Sequence, residues 1–463
     1  MSSMHLDHLI DPELRRALLQ NPEALRETLE ALHPEDIAEA LRELPSDQSL
    51  ALVHDLPEEL GAAVLERLPS ETQTALLEAL STEKASALVL AMSPDDRVDA
   101  LQTLPQDKAQ SLLADIKRRA PAVAEEIRQL GIWRSDTAGG LMTTEYVSLS
   151  PDTKIWQAME AVRQASQERQ TETIYYLYVC AFGNKLVGVV SLRDLILSDP
   201  GQTLDHVMTT HVLQVAPNDD QEHVARDIAK YDLSAMPVVD EQTRMLGVVT
   251  VDDVVDVVIE EATEDAQMMG GVLPLEDSYF ETGWLSFIWK RAAWLVLLFV
   301  AQMLTTTVME HHQVTLESLV GLVVFIPLII ASGGNAGSQS SSLIIRALAV
   351  GEMTPRDWWR VLRKEITVGL ALGLLLGIIG CARAALSDHH ISMSALAWTV
   401  GISVLCVVVM GTLVGSLLPL AIRRVGLDPA VSSTPFIASI VDVLGLALYF
   451  AIAQVVHHVL DYP

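Results

Sequence analysis

The sequence predicts a multidomain protein with three parts: an acidic α-superhelical N-terminal domain, a duplicated α/β module and an all-α membrane domain of five helices. Three observations support this class. A 12-residue repeat runs through residues 1–130, two similar β-α-β-β-α units follow in residues 141–258, and five long apolar runs occupy residues 284–463. A chain of 463 residues is also too long for one domain.

Charge divides the chain unevenly. It has 31 Lys and Arg against 60 Asp and Glu, and 51 of the acidic residues precede residue 284. Nucleic acid requires a basic surface, so this balance argues against it as a partner, whereas an acidic surface suits solubility or cation binding. The first residues show no basic-then-apolar signal peptide, and we therefore expect residues 1–283 to remain in the cytosol.

The N-terminal repeat places a Leu-Pro pair, or a close substitute, at the end of each unit. The pairs are Leu32-His33, Leu44-Pro45, Leu56-Pro57, Leu68-Pro69, Leu80-Ser81, Met92-Ser93 and Leu104-Pro105. Each pair ends one short helix and starts the next, and helices this short must stack to be stable. Asp95 and Asp99 lie four residues apart on one helical face, where a cation could bridge them or water could solvate them.

The duplicated module has two units of the same order. Its predicted strands are 147–149, 174–179, 186–191, 212–215, 235–240 and 246–250, and its predicted helices are 155–167 and 221–231. Both units close on Gly-Val-Val-Ser/Thr-x-x-Asp, and the duplication resembles a tandem CBS pair. The resemblance implies that Ser191, Asp194, Thr250 and Asp253 bind an adenine nucleotide such as ATP. Metal binding by Asp253, or helix capping, are the alternatives.

Residues 252–280 form an acidic, amphipathic and predicted helical connection to the membrane domain. It lacks the basic face of a helix that lies on a membrane surface. Its position suits either a lever between the two halves of the chain or a rigid linker.

The apolar runs are residues 287–308, 319–349, 366–386, 395–420 and 434–458. Pro327 predicts a kink in the second run. Basic residues cluster at 290–291, 356–364 and 423–424, and such clusters belong on the cytosolic side. We therefore expect a multi-pass protein of the inner (plasma) membrane, with the N-terminal domains in the cytoplasm and the C-terminus outside.

Two polar features interrupt the apolar runs. Asp442 lies in the last run, where a carboxylate costs a few kcal/mol unless it faces water or a partner such as Arg346 or Arg383. The segment 332–339 is rich in glycine and amides, and its glycines are expected to loosen the backbone so that carbonyl groups can face an ion. These hard oxygen ligands favour Mg²⁺ or Ca²⁺ over Zn²⁺.

From end to end the chain resembles the MgtE family of magnesium channels and transporters, most clearly in Gly333-Gly334-Asn335-x-Gly337-x-Gln339 and in Asp428-Pro429-Ala430…Asp442. The resemblance implies a homodimer, not an enzyme, that admits Mg²⁺ past two copies of Asp442 and closes when cytosolic Mg²⁺ binds. A CBS-regulated transporter of another divalent cation, such as Co²⁺, is the alternative.

The resemblance also implies site residues. The residues implied to line the pore are Gly333, Gly334, Asn335, Gly337, Gln339, Thr434 and Ala438. The residues implied to bind regulatory Mg²⁺ are Asp95, Asp99, Asp232, Asp253, Asp256, Glu264 and Asp265, with a carbonyl from Gly140. Thr434 departs from the family pattern, which often has Asn at this position.

Overall fold

The computed structural model describes residues 32–167, 174–275, 279, 282–313, 320–386 and 393–459. The chain forms two compact units, Met1–Ile259 and Glu260–Pro463. The first 31 residues of the predicted N-terminal domain lie outside the described residues.

The 12-residue repeat builds a stack of short helices. They are α1 (Pro34–Glu43), α2 (Ser46–Asp55), α3 (Glu58–Leu65), α4 (Ser70–Ala79), α5 (Thr82–Ala91), α6 (Pro94–Thr103), α7 (Gln106–Arg119) and α8 (Pro121–Leu130). Each helix packs against the second helix after it in the chain, so that α1 contacts α3 and α2 contacts α4. Most of the apolar residues that end the repeats, for example Leu56, Leu80 and Leu104, are buried between the helices. The predicted helical array is confirmed.

The CBS pair follows in the same unit. Its elements are β1 (Ser148–Leu149), α9 (Ile155–Gln167), β2 (Tyr176–Ala181), β3 (Lys185–Ser191), α10 (Leu192–Leu197), α11 (Leu204–Val207), α12 (Gln221–Tyr231), β4 (Ala235–Val239), β5 (Met245–Thr250) and α13 (Val251–Met269). β2 pairs parallel with β1 and antiparallel with β3, while β4 and β5 form an antiparallel pair.

The two CBS units differ in their first strand. The strand predicted at 212–215 is reduced to one parallel bridge between Val215 and Val238. Hydrophobic packing is continuous from the N-terminal helices to the second CBS unit, and it includes Leu104, Val224 and Val254. The N-terminal helices and the second CBS unit thus share one core.

The second unit contains five helices, within the described residues, that are long and apolar enough to cross a membrane. The membrane domain consists of α14 (Trp284–His311), α15 (Val320–Val323), α16 (Ile326–Ala349), α17 (Trp358–Ala385), α18 (Met393–Arg424) and α19 (Thr434–Val459). The second span contains both α15 and α16, because the helix is interrupted just before Pro327. The interruption confirms the predicted kink.

The helices α16, α18 and α19 pack against one another and form the centre of the membrane domain. Their shared core includes Ile329, Val404, Val407 and Tyr449, and Tyr449 Oη donates a 2.9 Å hydrogen bond to the Leu322 carbonyl. This bond satisfies a backbone acceptor next to the helix interruption, as the interior of a membrane protein requires.

Candidate functional site

Asp442 lies where three membrane helices meet. A Cβ atom placed on Gly334 of α16 would be 3.7 Å from Asp442 Oδ1, and Gln302 Nε2 of α14 lies 3.4 Å from Asp442 Oδ2. Gln302 is the polar partner that the structure gives this carboxylate, and within the described residues no salt bridge joins it to Arg346 or Arg383. A salt bridge to either arginine therefore does not explain the intramembrane carboxylate.

One face of α19 carries the residues predicted to line the pore. Thr434, Ala438 and Asp442 follow one another at intervals of four residues, so their side chains lie on the same side of the helix. Gly334 faces this surface, because its Cβ position would be 3.8 Å from the Ala438 Cβ. Asn335 follows Gly334 on α16 and is exposed.

The glycines of α16 do not loosen the backbone, and that prediction is wrong. α16 remains a regular helix from Ile326 to Ala349. A Cβ on Gly333 would lie 2.4 Å from Val407, and a Cβ on Gly337 would lie 3.0 Å from the Gly411 carbonyl. These two glycines therefore face α18 rather than an open path.

The close contact between α16 and α18 is reciprocal. A Cβ on Gly411 would lie 2.4 Å from the Gly333 carbonyl, and one on Gly415 would lie 2.0 Å from the Gly337 carbonyl. Small residues at four-residue spacing allow membrane helices to approach to backbone contact. The glycine pattern in the sequence therefore indicates close helix packing. Gln339, the predicted amide on the same helix, is exposed.

Besides Asp442, a group of acidic side chains lies in the first unit, around the start of α13. Thr250 Oγ1 donates a 2.5 Å hydrogen bond to Asp253 Oδ2. Burial, together with the negative charges of Asp252 and Asp96, raises the pKa of Asp253 to about 7. Burial also raises the pKa of Asp96, and the charges of Asp256 and Asp252 raise it further.

These interactions define an acidic cluster of Asp96, Asp252, Asp253 and Asp256. Burial raises the pKa of Asp256, with Asp252 and Glu35 adding to the effect and Arg67 opposing it. Asp253 and Asp256 were predicted, but Asp96 and Asp252 were missed. Asp96 directly follows the predicted Asp95, and no pattern in the sequence indicates which of the two faces α13.

The other predicted regulatory residues have separate surroundings. Asp95 is buried on α6 and Asp99 is exposed on the same helix. Asp232 ends α12 in a left-handed conformation with φ of 52°. Gly140 lies in a turn where a Cβ would be 2.2 Å from the Arg134 carbonyl, which explains the need for glycine there.

In the second unit, Glu264 on α13 lies near another carboxylate. Burial raises the pKa of Glu264, and the charges of Asp428 and Glu260 raise it further. Asp265 follows on the same helix and is partly buried. Asp428 precedes α19, so acidic side chains from α13 and from the approach to α19 lie close together. Asp428 was noted in the sequence only as part of a motif.

The end of the connecting helix contacts the membrane helices. Gly271 has φ of +74°, and a Cβ there would lie 2.6 Å from Trp294 and 3.4 Å from Pro435. Trp294 Nε1 donates a 2.8 Å hydrogen bond to Ser433 Oγ, and the Leu273 amide donates a 3.2 Å bond to the Lys290 carbonyl. The chain after α13 is thus packed against α14 and the start of α19.

The predicted nucleotide residues form two equivalent pairs. Ser191 Oγ donates a 2.7 Å hydrogen bond to Asp194 Oδ2, as Thr250 does to Asp253. Ser191 also accepts a 3.0 Å bond from the Asp194 amide and so caps α10. Helix capping therefore accounts for at least the first pair without a ligand.

Within the described residues, no group of three or more His, Cys, Asp or Glu side chains is arranged to hold a metal ion. Asp442 is accompanied by an amide and by small residues rather than by further carboxylates. One chain therefore offers a cation a single carboxylate at this point in the membrane domain.

Comparison with known proteins gives three family matches. The profile described as the MgtE intracellular N domain matches residues 32–136, the CBS domain profile matches residues 138–200 and 204–260, and the profile described as divalent cation transporter MgtE matches residues 326–452. The N-domain and CBS matches cover most of the first structural unit and end at Glu260, while the transporter match lies within the second unit.

Curated relatives match most of the chain. Magnesium transporter MgtE of Thermus thermophilus is 39% identical over 78% of this chain and 79% of its own length. Magnesium transporter MgtE of Enterococcus faecalis is 36% identical over 72% of this chain and 71% of its own length. A crystal structure of the soluble part of a magnesium transporter is 31% identical, with a TM-score of 0.52, and covers 57% of this chain and 100% of that one.

Proposed function

The chain belongs to the MgtE family of divalent cation transporters, and from that premise we propose that it conducts Mg²⁺ across the membrane past Asp442. The observation that carries this proposal is the position of Asp442, where α14, α16 and α19 meet without a basic partner. An ionisable group inside a membrane domain is costly and commonly marks an ion pathway.

The surroundings of Asp442 suit a hydrated ion. Mg²⁺ keeps several of its waters and binds through one or two carboxylates rather than through a complete protein cage. The small residues Gly334 and Ala438 leave room for those waters. Thr434, on the same face of α19 as Asp442, and Asn335, next to Gly334 on α16, are further candidate oxygen donors. The exposed Gln339 is a further candidate on the same face of α16.

We propose that the working unit is a homodimer. One chain contributes one carboxylate at the pore, and a two-fold axis beside α19 brings in a second from the partner. The basic segments of the membrane domain support a cytosolic position for the soluble domains. With five candidate spans, we propose that the C-terminus lies outside.

Regulation follows from the acidic residues. The like charges of Asp96, Asp252, Asp253 and Asp256 repel one another. We propose that cytosolic Mg²⁺ binds among them through the waters that it keeps, rather than in a preformed set of ligands, and so removes that repulsion. The contacts of Gly271 and Trp294 connect the end of α13 to the start of α19, which carries Asp442 two turns further on. Bound Mg²⁺ thereby favours one position of α13 and a closed pore.

Some of the implied regulatory residues lie near these charges and some do not. Glu264 and Asp265 lie on α13, and Glu264 is close enough to Asp428 for their charges to interact. We propose these residues as a second position for Mg²⁺. Asp95, Asp99, Asp232 and the Gly140 carbonyl remain candidates from the family resemblance. ATP remains a candidate regulatory ligand of Ser191, Asp194, Thr250 and Asp253.

Flux measurements on proteoliposomes test the pore assignment. Asp442→Ala and Asp442→Asn should abolish Mg²⁺ uptake, whereas Asp442→Glu should retain part of it because the charge is kept. Glu365→Gln is the matched control, since it neutralises another carboxylate of the membrane domain and should leave uptake intact. Uptake by Asp442→Asn equal to that of the unaltered protein would overturn the proposal.

The same vesicles separate Mg²⁺ from the alternative substrate. Uptake of Mg²⁺ is measured with Co²⁺ or Ca²⁺ as competitor, and uptake of Co²⁺ is measured alone. If Co²⁺ enters faster than Mg²⁺ at equal concentration, the protein is a transporter of another divalent cation.

A further inference from the structure

The start of α17 carries an exposed basic and aromatic surface that ion transport does not use. Four basic residues lie within nine positions, and all are exposed: Arg356, Arg360, Arg363 and Lys364. Trp358 and Trp359 are also about half exposed, at 46% and 50%, and their rings lie edge to face at 5.5 Å. The surface therefore combines positive charge with large aromatic side chains.

The side chains on this surface are held in place. The Arg363 guanidinium lies 5.5 Å from the centre of the Trp359 ring, in a cation–π contact. Asp357 is the acidic residue among them, and its carboxylate is occupied by the Thr354 amide and hydroxyl at 3.1 and 3.0 Å. Arg360 also lies 3.3 Å from Asp357 and is still 86% exposed. The positive charge is thus only partly balanced.

The opposite face of α17 shows which way this surface points. Val361 is buried against Ile344, Leu348 and Leu420 of the neighbouring helices α16 and α18. Trp359 and Arg363 lie on the other side of the helix, and that side continues as the exposed apolar residues Ile366, Leu370 and Leu374. On this side of α17 the positive charge of Arg363 is therefore followed directly by an apolar stripe of Ile366, Leu370 and Leu374.

A second helix adds to the charge. Leu420 packs against Val361, and α18 ends one turn later with the exposed residues Arg423 and Arg424. Of the six basic residues on these two segments, five are arginines. Topology alone is set equally by lysine and arginine, whereas the planar guanidinium is suited to bidentate contact with phosphate.

We propose that this surface, formed by residues 356–364 and Arg423–Arg424, binds an anionic phospholipid of the adjacent leaflet. The headgroup phosphate contacts Arg360 and Arg363, and an acyl chain lies along Ile366, Leu370 and Leu374. Free phosphate or a soluble nucleotide would use the arginines but leave the apolar stripe uncovered. The stripe is what assigns the phosphate to a lipid.

Native mass spectrometry of the purified full-length protein tests this binding independently of transport. The protein is exchanged into equal amounts of phosphatidylglycerol and phosphatidylcholine, and the retained lipids are counted. The unaltered protein should retain phosphatidylglycerol selectively. Arg360→Gln with Arg363→Gln should weaken that retention by about fivefold for each arginine removed.

The control pair is Lys290→Gln with Arg291→Gln on α14. It removes the same charge, and Arg291 lies over the Phe287 ring at 5.4 Å in a comparable cation–π contact. This pair should retain phosphatidylglycerol as the unaltered protein does. An equal loss in both pairs would show that general positive charge attracts the lipid, and the proposed site would be wrong.

Two further measurements complete the test. Arg363→Lys keeps the charge and should fold normally, yet it should retain less phosphatidylglycerol because it loses the planar fork and the ring contact. Inorganic phosphate at millimolar concentration should not displace the lipid. Displacement by phosphate, or full retention by the Arg360→Gln/Arg363→Gln protein, would overturn the proposal.

Discussion

Ser340 Oγ of α16 donates a 2.8 Å hydrogen bond to Glu365 Oε2 of α17, and both residues are buried inside the membrane domain. Glu365 lies between Lys364 and a long apolar sequence, so the sequence alone suggests a residue at the membrane surface. The structure instead turns it inward, one helical turn before Gly369. A buried polar group in this environment is stabilised only if it has a partner.

Removing the hydroxyl should therefore destabilise the membrane domain. Ser340→Ala leaves the Glu365 carboxyl without this hydrogen bond, and we expect a loss of about 1–3 kcal/mol. Glu365→Gln should be milder, because the amide oxygen can still accept the bond. Thermal unfolding in detergent measures both. Ser332→Ala is the control, since the Ser332 hydroxyl donates its hydrogen bond to the Leu328 carbonyl of its own helix. Equal effects from both serines would contradict the assigned role.

The contact of α16 with α18 predicts a sharp difference between two glycines. Gly415→Ala would place a Cβ 2.0 Å from the Gly337 carbonyl, so the two helices must separate. Overpacking of this kind costs about 1–3 kcal/mol. Gly380→Ala is the matched control, because its nearest neighbours would lie at 3.4 and 3.5 Å. A melting temperature for Gly415→Ala equal to that for Gly380→Ala would contradict the packing described here.

The helices could be predicted because their signals are local. Proline and serine positions repeating every 12 residues identify where the N-terminal helices start, and continuous apolar runs identify the spans. Asp442 could also be predicted from the sequence, since a carboxylate within an apolar run is unusual at any position in the membrane. In each case the relevant residues are neighbours along the chain.

The missed residues depend on contacts between distant parts of the chain. Asp96 and Asp252 are more than 150 positions apart in sequence, and only packing of the N-terminal helices against the second CBS unit brings their charges together. The prediction that the glycines of α16 loosen the backbone was wrong for a related reason. Glycine in a helix permits either a distorted backbone or close contact, and its partners Gly411 and Gly415 on α18 decide between the two.

The raised pKa of Asp253 predicts a pH dependence of the first unit. Its pKa is about 7 in the folded protein against 3.8 for an ordinary aspartate, because burial favours the protonated form. The resulting stabilisation is complete below about pH 4 and is lost as the pH rises through 7. Without Mg²⁺, the soluble domains of the full-length protein should therefore resist protease better at pH 6 than at pH 8.

Two variants check the source of this dependence. Asp253→Asn should remove most of the difference between pH 6 and pH 8, since the group no longer titrates. Asp194→Asn is matched to it, because Asp194 makes the equivalent hydrogen bond with Ser191 but is exposed. If Asp194→Asn abolishes the difference and Asp253→Asn preserves it, the dependence originates elsewhere.

Neutralising the acidic cluster should imitate bound Mg²⁺. Asp96→Asn with Asp252→Asn removes two of the charges that raise the pKa of Asp253, so repulsion within the cluster falls even without a cation. The full-length protein should then be protected from protease without added Mg²⁺, which shifts its protection curve toward zero Mg²⁺, and its Mg²⁺ flux should fall in low Mg²⁺. Asp99→Asn is the informative comparison, because the sequence singled out Asp99 whereas the structure places Asp96 beside α13. A larger shift with Asp99→Asn than with the double variant would move the regulatory site to the other face of α6 and contradict the cluster defined here.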